Sequence, residues 1–145
     1  MDDPRATFHL HGLRCTRQRE ILYGALCATR CHPTAEELFQ SVRDADPGLS
    51  LATVYNTLDA FTRCGLVRRI ATESAARYDA DLTPHVHLVR DDGRVSDVPD
   101  EVGRLILERL RPEDVRAVER ATGVAIDHVS VRVMARASRP GGELV

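Results

Sequence analysis

Residues 34–70 read TAEELFQSVRDADPGLSLATVYNTLDAFTRCGLVRRI, and this stretch decides the fold. Thr34 followed by Glu37 is the pattern of a helix capping box, and residues 46–48 (DPG) form a turn after that helix. Ser50 then caps a second helix. Two short helices joined by a tight turn predict a helix-turn-helix. Apolar side chains recur along the second helix at the spacing of one helical face, at Leu51, Val54, Leu58 and Phe61.

The flanking sequence completes this unit on both sides. Upstream, residues 16–29 carry an amphipathic helix pattern that opens with Thr16, a candidate N-cap, and Pro33 separates it from the capping box. Downstream, Gly65 stops the helix and the period changes to that of strands, because LVRRIAT and ARYDA read as the two arms of a hairpin. Three helices followed by a β-hairpin predict a winged helix-turn-helix, whose third helix enters the DNA major groove.

The second half of the chain mixes strands and helices. Residues 80–84 (ADLTP) read as a linker, and HVHLVR and RVSDV as a second hairpin. Helical patterns follow over 99–110 and 112–122, and VAIDHVSVRVMA is a last strand. A unit with so few strands and so little core favours a homodimer that buries one of its faces. We therefore expect an α+β protein with a winged-helix DNA-binding domain over 1–82, a small α/β dimerisation domain over 83–138 and a disordered tail over 139–145.

The composition limits the function classes. The 145 residues carry a net charge of -2 with a pI near 6.3, which excludes a generally basic nucleic-acid binder but not a local basic patch. With no Trp, three Phe and three Tyr, the chain lacks the side chains of a base-stacking surface. Because no apolar run resembles a signal peptide or a membrane span, we expect a cytoplasmic protein. The four Cys are then expected as buried thiols, with a metal or redox pair at Cys27 and Cys31 on one helix face as the alternative.

The third predicted helix carries the candidate DNA-reading surface. Once its apolar face packs inward, small and polar side chains remain outside on the first two turns. Asn56 can bind adenine through both amide atoms, and Tyr55 can contact a thymine methyl or a phosphate. Arg side chains before the first helix and in the wing suit phosphate contacts, although ordinary solvated residues give the same pattern. The candidate DNA-contacting set is Arg14, Thr16, Arg17, Arg19, Ser50, Ala52, Thr53, Tyr55, Asn56 and Arg68, with Arg69 and Arg77 also in the wing.

Histidine and carboxylate side chains gather around the predicted domain boundary. His85 and His87 are two residues apart on a strand, so their imidazoles share one face at about 7 Å, which suits a single ion. Asp79 ends the wing, Asp97 lies on the partner strand, and His32 lies just before the capping box. Purely structural histidines are the alternative. If the five converge, three nitrogens and two oxygens suit Fe²⁺, Mn²⁺, Co²⁺, Ni²⁺ or Zn²⁺, and the ion would clamp the two domains together.

Four segments together resemble successive motifs of the ferric uptake regulator family. They are LRCTRQREILYGAL, the run from HPTAEELFQ to CGLVRRI, ARYD, and PHVHLVRDDGRVSDV, and they cover about residues 10–100. HPTAEEL and LSLATVYNTL are long and specific motifs. The resemblance implies a dimeric winged-helix transcriptional repressor that needs a divalent metal, Fe²⁺ or Mn²⁺ before Zn²⁺ or Ni²⁺, to bind its operator.

The resemblance also implies roles for single residues. Position by position, the family's regulatory metal site falls on His32, Asp79, His85, His87 and Asp97. Asp rather than Glu at position 79 is similar to the peroxide-sensing branch, in which bound Fe²⁺ reacts with peroxide, oxidises a ligand histidine and releases the DNA. Tyr55 and its neighbours would contact the major groove, and Arg14 would reach toward the minor groove.

The chain also departs from the family. Many members hold a structural zinc with two C-x-x-C pairs, but Arg90 and Gly93 occupy the first pair's positions here and the C-terminal end has no Cys, so we expect no structural zinc. A further family metal site needs a His and an acid where this chain has Pro84 and Val86, so that site is expected to be lost. The haem-responsive branch also lacks the cysteine pairs, which leaves haem-linked control open.

The leading prediction is a metal-dependent, DNA-binding transcriptional repressor of metal-homeostasis or peroxide-stress genes, and not an enzyme. One alternative is a winged-helix regulator whose metal site has decayed or that answers to haem. The other is a small metalloenzyme that uses the His-x-His set, although no nucleophile or general-base motif accompanies it. Chelation followed by DNA binding tests the first alternative, and a turnover screen with metal tests the second.

Overall fold

The computed structural model describes residues 4–136. The chain separates into two compact units, Met1–Leu82 and Thr83–Val145. The tail predicted over 139–145 lies outside the described residues. Over the described range, none of the helices has the length and apolar character that a bilayer crossing requires.

The first unit is a winged helix-turn-helix, as the sequence predicts. Its elements are α1 (Pro4–Leu10), α2 (Arg17–Cys27), α3 (Ala35–Val42), α4 (Leu51–Arg63), β1 (Arg68–Ile70) and β2 (Arg77–Asp79). The two strands pair antiparallel, with Arg69 opposite Tyr78, and form the wing. Helix α4 is therefore the candidate recognition helix.

The predicted helix starts are confirmed by their capping hydrogen bonds. Thr16 and Ser50 each accept the backbone N–H three residues on, from Arg19 and Thr53. Thr34 and Glu37 form the complete capping box at the start of α3. Helices α2, α3 and α4 thus each begin where a side-chain oxygen satisfies an otherwise unpaired backbone donor.

Helix α1 is missing from the sequence prediction. It is seven residues long and has one buried side chain, Phe8, which stacks on Phe61 at 5.7 Å between ring centroids and meets the edge of Tyr23 at 5.5 Å. Beyond its end, the His11 Nδ1 donates to the carbonyl of Cys64 at 2.9 Å, at the C-terminus of α4. A single buried aromatic gives no helical periodicity, which is why the sequence pattern did not indicate this helix.

Two further predictions about the first unit are wrong in detail. Leu51 is only half-buried because it begins α4, and Thr57 takes a place on the buried face instead. Cys27 and Cys31 are exposed residues, and Cys15 and Cys64 are half-buried rather than buried. Because α2 ends at Cys27, Cys31 lies beyond the helix and the two do not share a helix face.

The second unit is a small three-stranded sheet with two helices. Its elements are β3 (Val86–Arg90), β4 (Val95–Asp97), α5 (Asp100–Leu107), α6 (Pro112–Thr122) and β5 (Val131–Ala135). The strand order is β4-β3-β5, with β3 antiparallel to β4 and parallel to β5. The last strand begins at Val131, later than predicted, and His85 lies immediately before β3 rather than on it.

The second unit buries little of its apolar surface. Among its residues up to 136, the buried apolar side chains are those of Val86, Val89 and Val95, and α6 has none. A helix without a buried face gains little stability from its own domain. Large hydrophobic side chains are exposed across this unit instead, at Val102, Leu105, Leu110, Val118, Val124, Val129, Val133 and Met134.

Candidate metal centre and DNA-reading surface

One part of the predicted metal set lies within the first unit. The Nδ1 of His32 is 3.5 Å from a carboxylate oxygen of Asp79, and both side chains are buried. The backbone N–H of Asp81 donates to the Asp79 carboxylate at 2.8 Å, which orients that group. The backbone N–H of Tyr78 donates to the carbonyl of Pro33 at 3.0 Å, so the segment carrying His32 is fastened to β2. The pair is thus preorganised by backbone contacts on both sides.

Arg77 supports this pair, and the sequence reasoning missed that role by treating it as a wing cation. Its side chain is buried, and its guanidinium donates to the carbonyl of His32 and to the Glu37 carboxylate, each at 2.9 Å. Alternation along β2 was the available signal, because residues two apart in a strand share a face, which places Arg77 beside Asp79.

The other part of the set lies within the second unit. The Nδ1 of His85 donates to the carbonyl of Thr83 at 2.7 Å, so in the neutral ring its Nε2 carries the lone pair. That Nε2 is 2.8 Å from the Nε2 of His87 and 3.3 Å from a carboxylate oxygen of Asp97. The register of the sheet explains the grouping, because His87 pairs directly with Asp97 across β3 and β4. Three donor atoms therefore converge.

The donor chemistry fits a divalent transition metal. Both groups consist of imidazole nitrogens and carboxylate oxygens without a thiol, a set that suits Mn²⁺, Fe²⁺ and their neighbours in the first row rather than thiophilic ions. A buried carboxylate such as Asp79 is costly unless hydrogen bonds or a cation compensate its charge. The residues present thus fit an ion without any change of side-chain type.

The outer face of α4 presents small and polar side chains. Ala52, Tyr55 and Asn56 are exposed there. Ser50 and Thr53 share a hydroxyl–hydroxyl hydrogen bond at 2.9 Å, which leaves one of their two protons to donate elsewhere. This face can approach a DNA groove without a bulky aliphatic side chain in the way.

Tyr55 contacts the preceding helix from this face. Its hydroxyl donates to the Glu36 carboxylate at the start of α3. This hydrogen bond lowers the pKa of Glu36 and raises the pKa of Tyr55, because it favours the carboxylate together with the neutral phenol. The contact joins α3 and α4 on the surface predicted to meet DNA.

The predicted basic residues differ in how they are used. Arg14 and Arg17 are exposed at the start of α2, whereas Arg19 is half-buried and donates to the carbonyl of Arg14 at 2.6 Å. Thr16 is occupied as an N-cap. Arg68 donates to the carbonyl of Leu82 at 3.0 Å, so this wing cation braces the end of its own unit.

A winged helix-turn-helix, together with clusters of histidine and carboxylate side chains, is typical of metal-responsive DNA-binding proteins. Residues 10–125 match the sequence profile described as the ferric uptake regulator family. This chain belongs to that family, whose members are metal-dependent transcriptional regulators. The resemblance drawn from the sequence motifs is thereby confirmed.

Individual relatives agree with this assignment. The chain is 31% identical over 99 residues to the peroxide-responsive repressor PerR of Staphylococcus saprophyticus, covering 67% of each protein. Its fold is similar to the ferric uptake regulator of Pseudomonas aeruginosa solved with manganese, at 27% identity and a TM-score of 0.71 over 93% of this chain and 98% of that one. The Vibrio cholerae ferric uptake regulator gives 27% identity and a TM-score of 0.70, covering 93% and 100%.

Proposed function

We propose that this protein is a homodimeric transcriptional repressor that binds operator DNA when one divalent ion is held jointly by both units. The observation that supports this proposal most strongly is that each unit places histidine and carboxylate groups close together. In the first unit these are His32 and Asp79, and in the second they are His85, His87 and Asp97. The proposed ligands are His32, Asp79, His85, His87 and Asp97, and the proposed ion is Fe²⁺ or Mn²⁺.

The covalent connection favours joint binding. Asp79 and His85 are six residues apart, so their backbones cannot separate by more than about 22 Å even with the chain fully extended. A short connection of this kind gives the second ligand group a high effective concentration once the first is engaged. Binding at both groups restricts the freedom of one unit relative to the other.

Each ligand residue contributes a defined property. The bound ion supplies positive charge and coordinate bonds between the two groups. His85 is held by its Nδ1–H so that Nε2 stays available, and the Asp81 N–H holds the Asp79 carboxylate in place. The ion shifts a pre-existing equilibrium between unit arrangements only by its greater affinity for the DNA-competent one.

The proposed DNA contact is made by α4, with the wing and the start of α2 on the phosphates. Tyr55 and Asn56 read base edges, the Ser50–Thr53 hydroxyl pair donates to a phosphate, and exposed Arg14 and Arg17 supply charge. Because the net charge of the chain is -2, binding depends on this local arrangement rather than on bulk charge.

The proposed dimer forms through the second unit. Exposed apolar side chains on α5, α6 and β5 give that unit a surface to bury against a second copy. We propose no structural zinc, because Arg90 and Gly93 stand where the first cysteine pair would be and the turn there is closed by a Gly93 N–H to Arg90 carbonyl hydrogen bond at 3.0 Å. Apolar burial then holds the dimer.

We propose peroxide as the signal. An Asp rather than a Glu at position 79 and the similarity to the staphylococcal peroxide-responsive repressor both favour it. Protein loaded with Fe²⁺ and treated with hydrogen peroxide should gain the mass of one oxygen atom on one of the proposed ligand histidines, His32, His85 or His87, and lose DNA affinity. Protein loaded with Mn²⁺ is the control and should do neither. Unmodified histidines with unchanged DNA binding in the Fe²⁺ sample would indicate a metal sensor instead.

Ligand variants in each unit test the joint site. His32→Ala in the first unit and His87→Ala in the second should each weaken Mn²⁺ binding measured by calorimetry and reduce the Mn²⁺-dependent gain in affinity for a duplex selected from a random library. His128→Ala, exposed in the second unit, is the matched control. If removing His32 leaves Mn²⁺ affinity intact, the ion is not shared and the proposal fails.

A further inference from the structure

Arg77 is buried at the centre of a polar network in the first unit. One of its guanidinium nitrogens donates both to the His32 carbonyl and to a Glu37 carboxylate oxygen, at 2.9 Å each, and the other nitrogen lies 3.4 Å from the second Glu37 oxygen. Arg77 is only 7% exposed. Burying a guanidinium is costly unless its N–H groups are hydrogen-bonded, so these contacts favour the arrangement in which Arg77 bridges His32 and Glu37.

The Glu37 carboxylate has a second partner that ties this network to α3. The Glu37 Oε2 atom that accepts a hydrogen bond from Arg77 also accepts one from the backbone N–H of Thr34 at 3.0 Å. This second hydrogen bond is one of the two that make up the capping box. The His32 backbone and the first turn of α3 are thus held by one carboxylate and one guanidinium. Glu36, the residue before Glu37 in that turn, accepts a hydrogen bond from the hydroxyl of Tyr55 on α4. The contacts are continuous from a proposed metal ligand to the proposed DNA-reading face.

We propose that Arg77 is a positioning residue, which fixes His32 at Asp79 and couples that pair to the start of α3 through Glu37. The inference rests on the proposed function and adds the route by which metal occupancy reaches the helix-turn-helix. Geometry requires Arg here, because a planar fork reaches a carbonyl and a carboxylate together and an ammonium group does so less well. Since Arg77 holds the His32 backbone, losing Arg77 removes one restraint on the position of the ring without removing any ligand atom.

Cobalt binding by the full-length protein tests the positioning role, with Co²⁺ as a spectroscopic probe. In Arg77→Met we expect Co²⁺ affinity to fall by about 10- to 100-fold, the usual cost of removing a group that orients a ligand, and the visible spectrum to approach that of His32→Ala. Arg77→Lys should give an intermediate affinity. Arg43→Met, which removes an exposed guanidinium from the end of α3, is the matched control and should leave Co²⁺ affinity unchanged.

Thermal unfolding of the metal-free variants separates positioning from a merely structural role. If Arg77→Met and Arg77→Lys lower the melting temperature yet bind Co²⁺ with the wild-type affinity and spectrum while folded, Arg77 only supports the fold and the inference is wrong. If Arg77→Met fails to fold, the Co²⁺ affinity and spectrum of Arg77→Lys and Glu37→Gln decide between the two roles. A wild-type protein that does not bind Co²⁺ would overturn the proposed function and this inference together.

A double-mutant cycle tests the link through Glu37. Glu37→Gln should lower Co²⁺ affinity in the same direction as Arg77→Met, and the double variant should bind no more weakly than Arg77→Met alone. If the two residues act together, each single variant should also reduce the factor by which Mn²⁺ increases DNA affinity. Additive losses of Co²⁺ affinity would show that the two residues act independently and would overturn the coupling.

Discussion

Hydrogen bonds from the backbone decide which atoms of the metal set are available. The carbonyl of Thr83 accepts the Nδ1–H of His85, and the backbone N–H of Asp81 donates to one oxygen of the Asp79 carboxylate. Neither contact adds a ligand, but each restricts the rotation of a ligand side chain before an ion binds. The spacing of His85 and His87 was enough to predict them as metal ligands from the sequence. The hydrogen bonds that orient the ligands depend on backbone geometry, which the spacing does not specify.

His85→Ala should abolish most of the metal-dependent gain in DNA affinity while the protein stays folded. The ring lies outside the apolar core cluster and contacts the polar groups of Thr83, His87 and Asp97, so its loss removes a proposed ligand but little apolar packing. Fluorescence anisotropy with a selected duplex, with and without Mn²⁺, measures the effect, and circular dichroism confirms the fold. His128→Ala is the control. A variant that binds the duplex as tightly with the metal chelated as wild type does with Mn²⁺ would contradict the account.

Glu36→Gln should lower the pKa of Tyr55 toward its ordinary value. The Glu36 carboxylate raises the pKa of Tyr55 by accepting its proton in a hydrogen bond, and the neutral amide accepts it more weakly. Tyrosinate absorbance, taken as the difference between each protein and its Tyr55→Phe counterpart, measures this pKa. Equal values in both backgrounds would show that the hydrogen bond is absent in solution.

The same contact defines a pH window. Because the pKa of Glu36 is lowered in the folded protein, its contribution to stability is present above the unfolded pKa and is lost as pH falls through the folded value. Because the pKa of Tyr55 is raised, the donor remains protonated through neutral pH and is lost only in alkali. The link between α3 and α4 should therefore hold across the neutral range.

At the scale of elements, the sequence predicts what local chemistry determines and misses what tertiary contacts determine. The starts of α2, α3 and α4 follow from capping residues that act within three positions. Helix α1 and the burial of Arg77 depend on partners far along the chain, such as Phe61 and Glu37, which no local pattern reveals. The candidate metal ligands were found from residue types, and their support network was not.

Phe8→Ala should destabilise the first unit by about 3–5 kcal/mol, the usual cost of removing a fully buried phenylalanine. The ring packs between Phe61 and Tyr23, so its loss leaves a cavity beside the recognition helix. Urea denaturation followed by circular dichroism measures the change. Leu10→Ala in the same helix is the control, because Leu10 is 85% exposed and its loss should change the free energy of unfolding little. Equal effects would mean that α1 is not docked.

At the scale of the whole molecule, the two units differ in how complete they are. The first carries a continuous apolar core with the helices packed around Phe61, whereas the second buries little beyond β3 and β4. A small unit that buries so little apolar surface gains stability when another surface covers it. The small core of this unit led the sequence analysis to expect an uncovered apolar face, but which residues form that face could not be predicted from the sequence.

Met134→Glu should shift the protein from dimer to monomer. Met134 is 71% exposed on β5, and a carboxylate there would be desolvated in an interface formed by this unit. Sedimentation velocity measures the oligomeric state, and Arg43→Glu, at an exposed position in the first unit, is the charge-changing control. Chelation should leave the wild-type dimer intact, because no structural zinc is proposed. A wild-type monomer, or a dimer that dissociates on chelation, would contradict the account.

The central claim is that one metal ion per chain controls DNA binding. The most direct measurement is the Fe²⁺ and Mn²⁺ content of anaerobically purified protein, combined with DNA binding by the same sample before chelation, after chelation and after metal is restored. The account predicts about one ion per chain, loss of binding on chelation and recovery on restoration. A metal-free dimer that binds the same DNA with undiminished affinity would show that the five ligands do not regulate this protein.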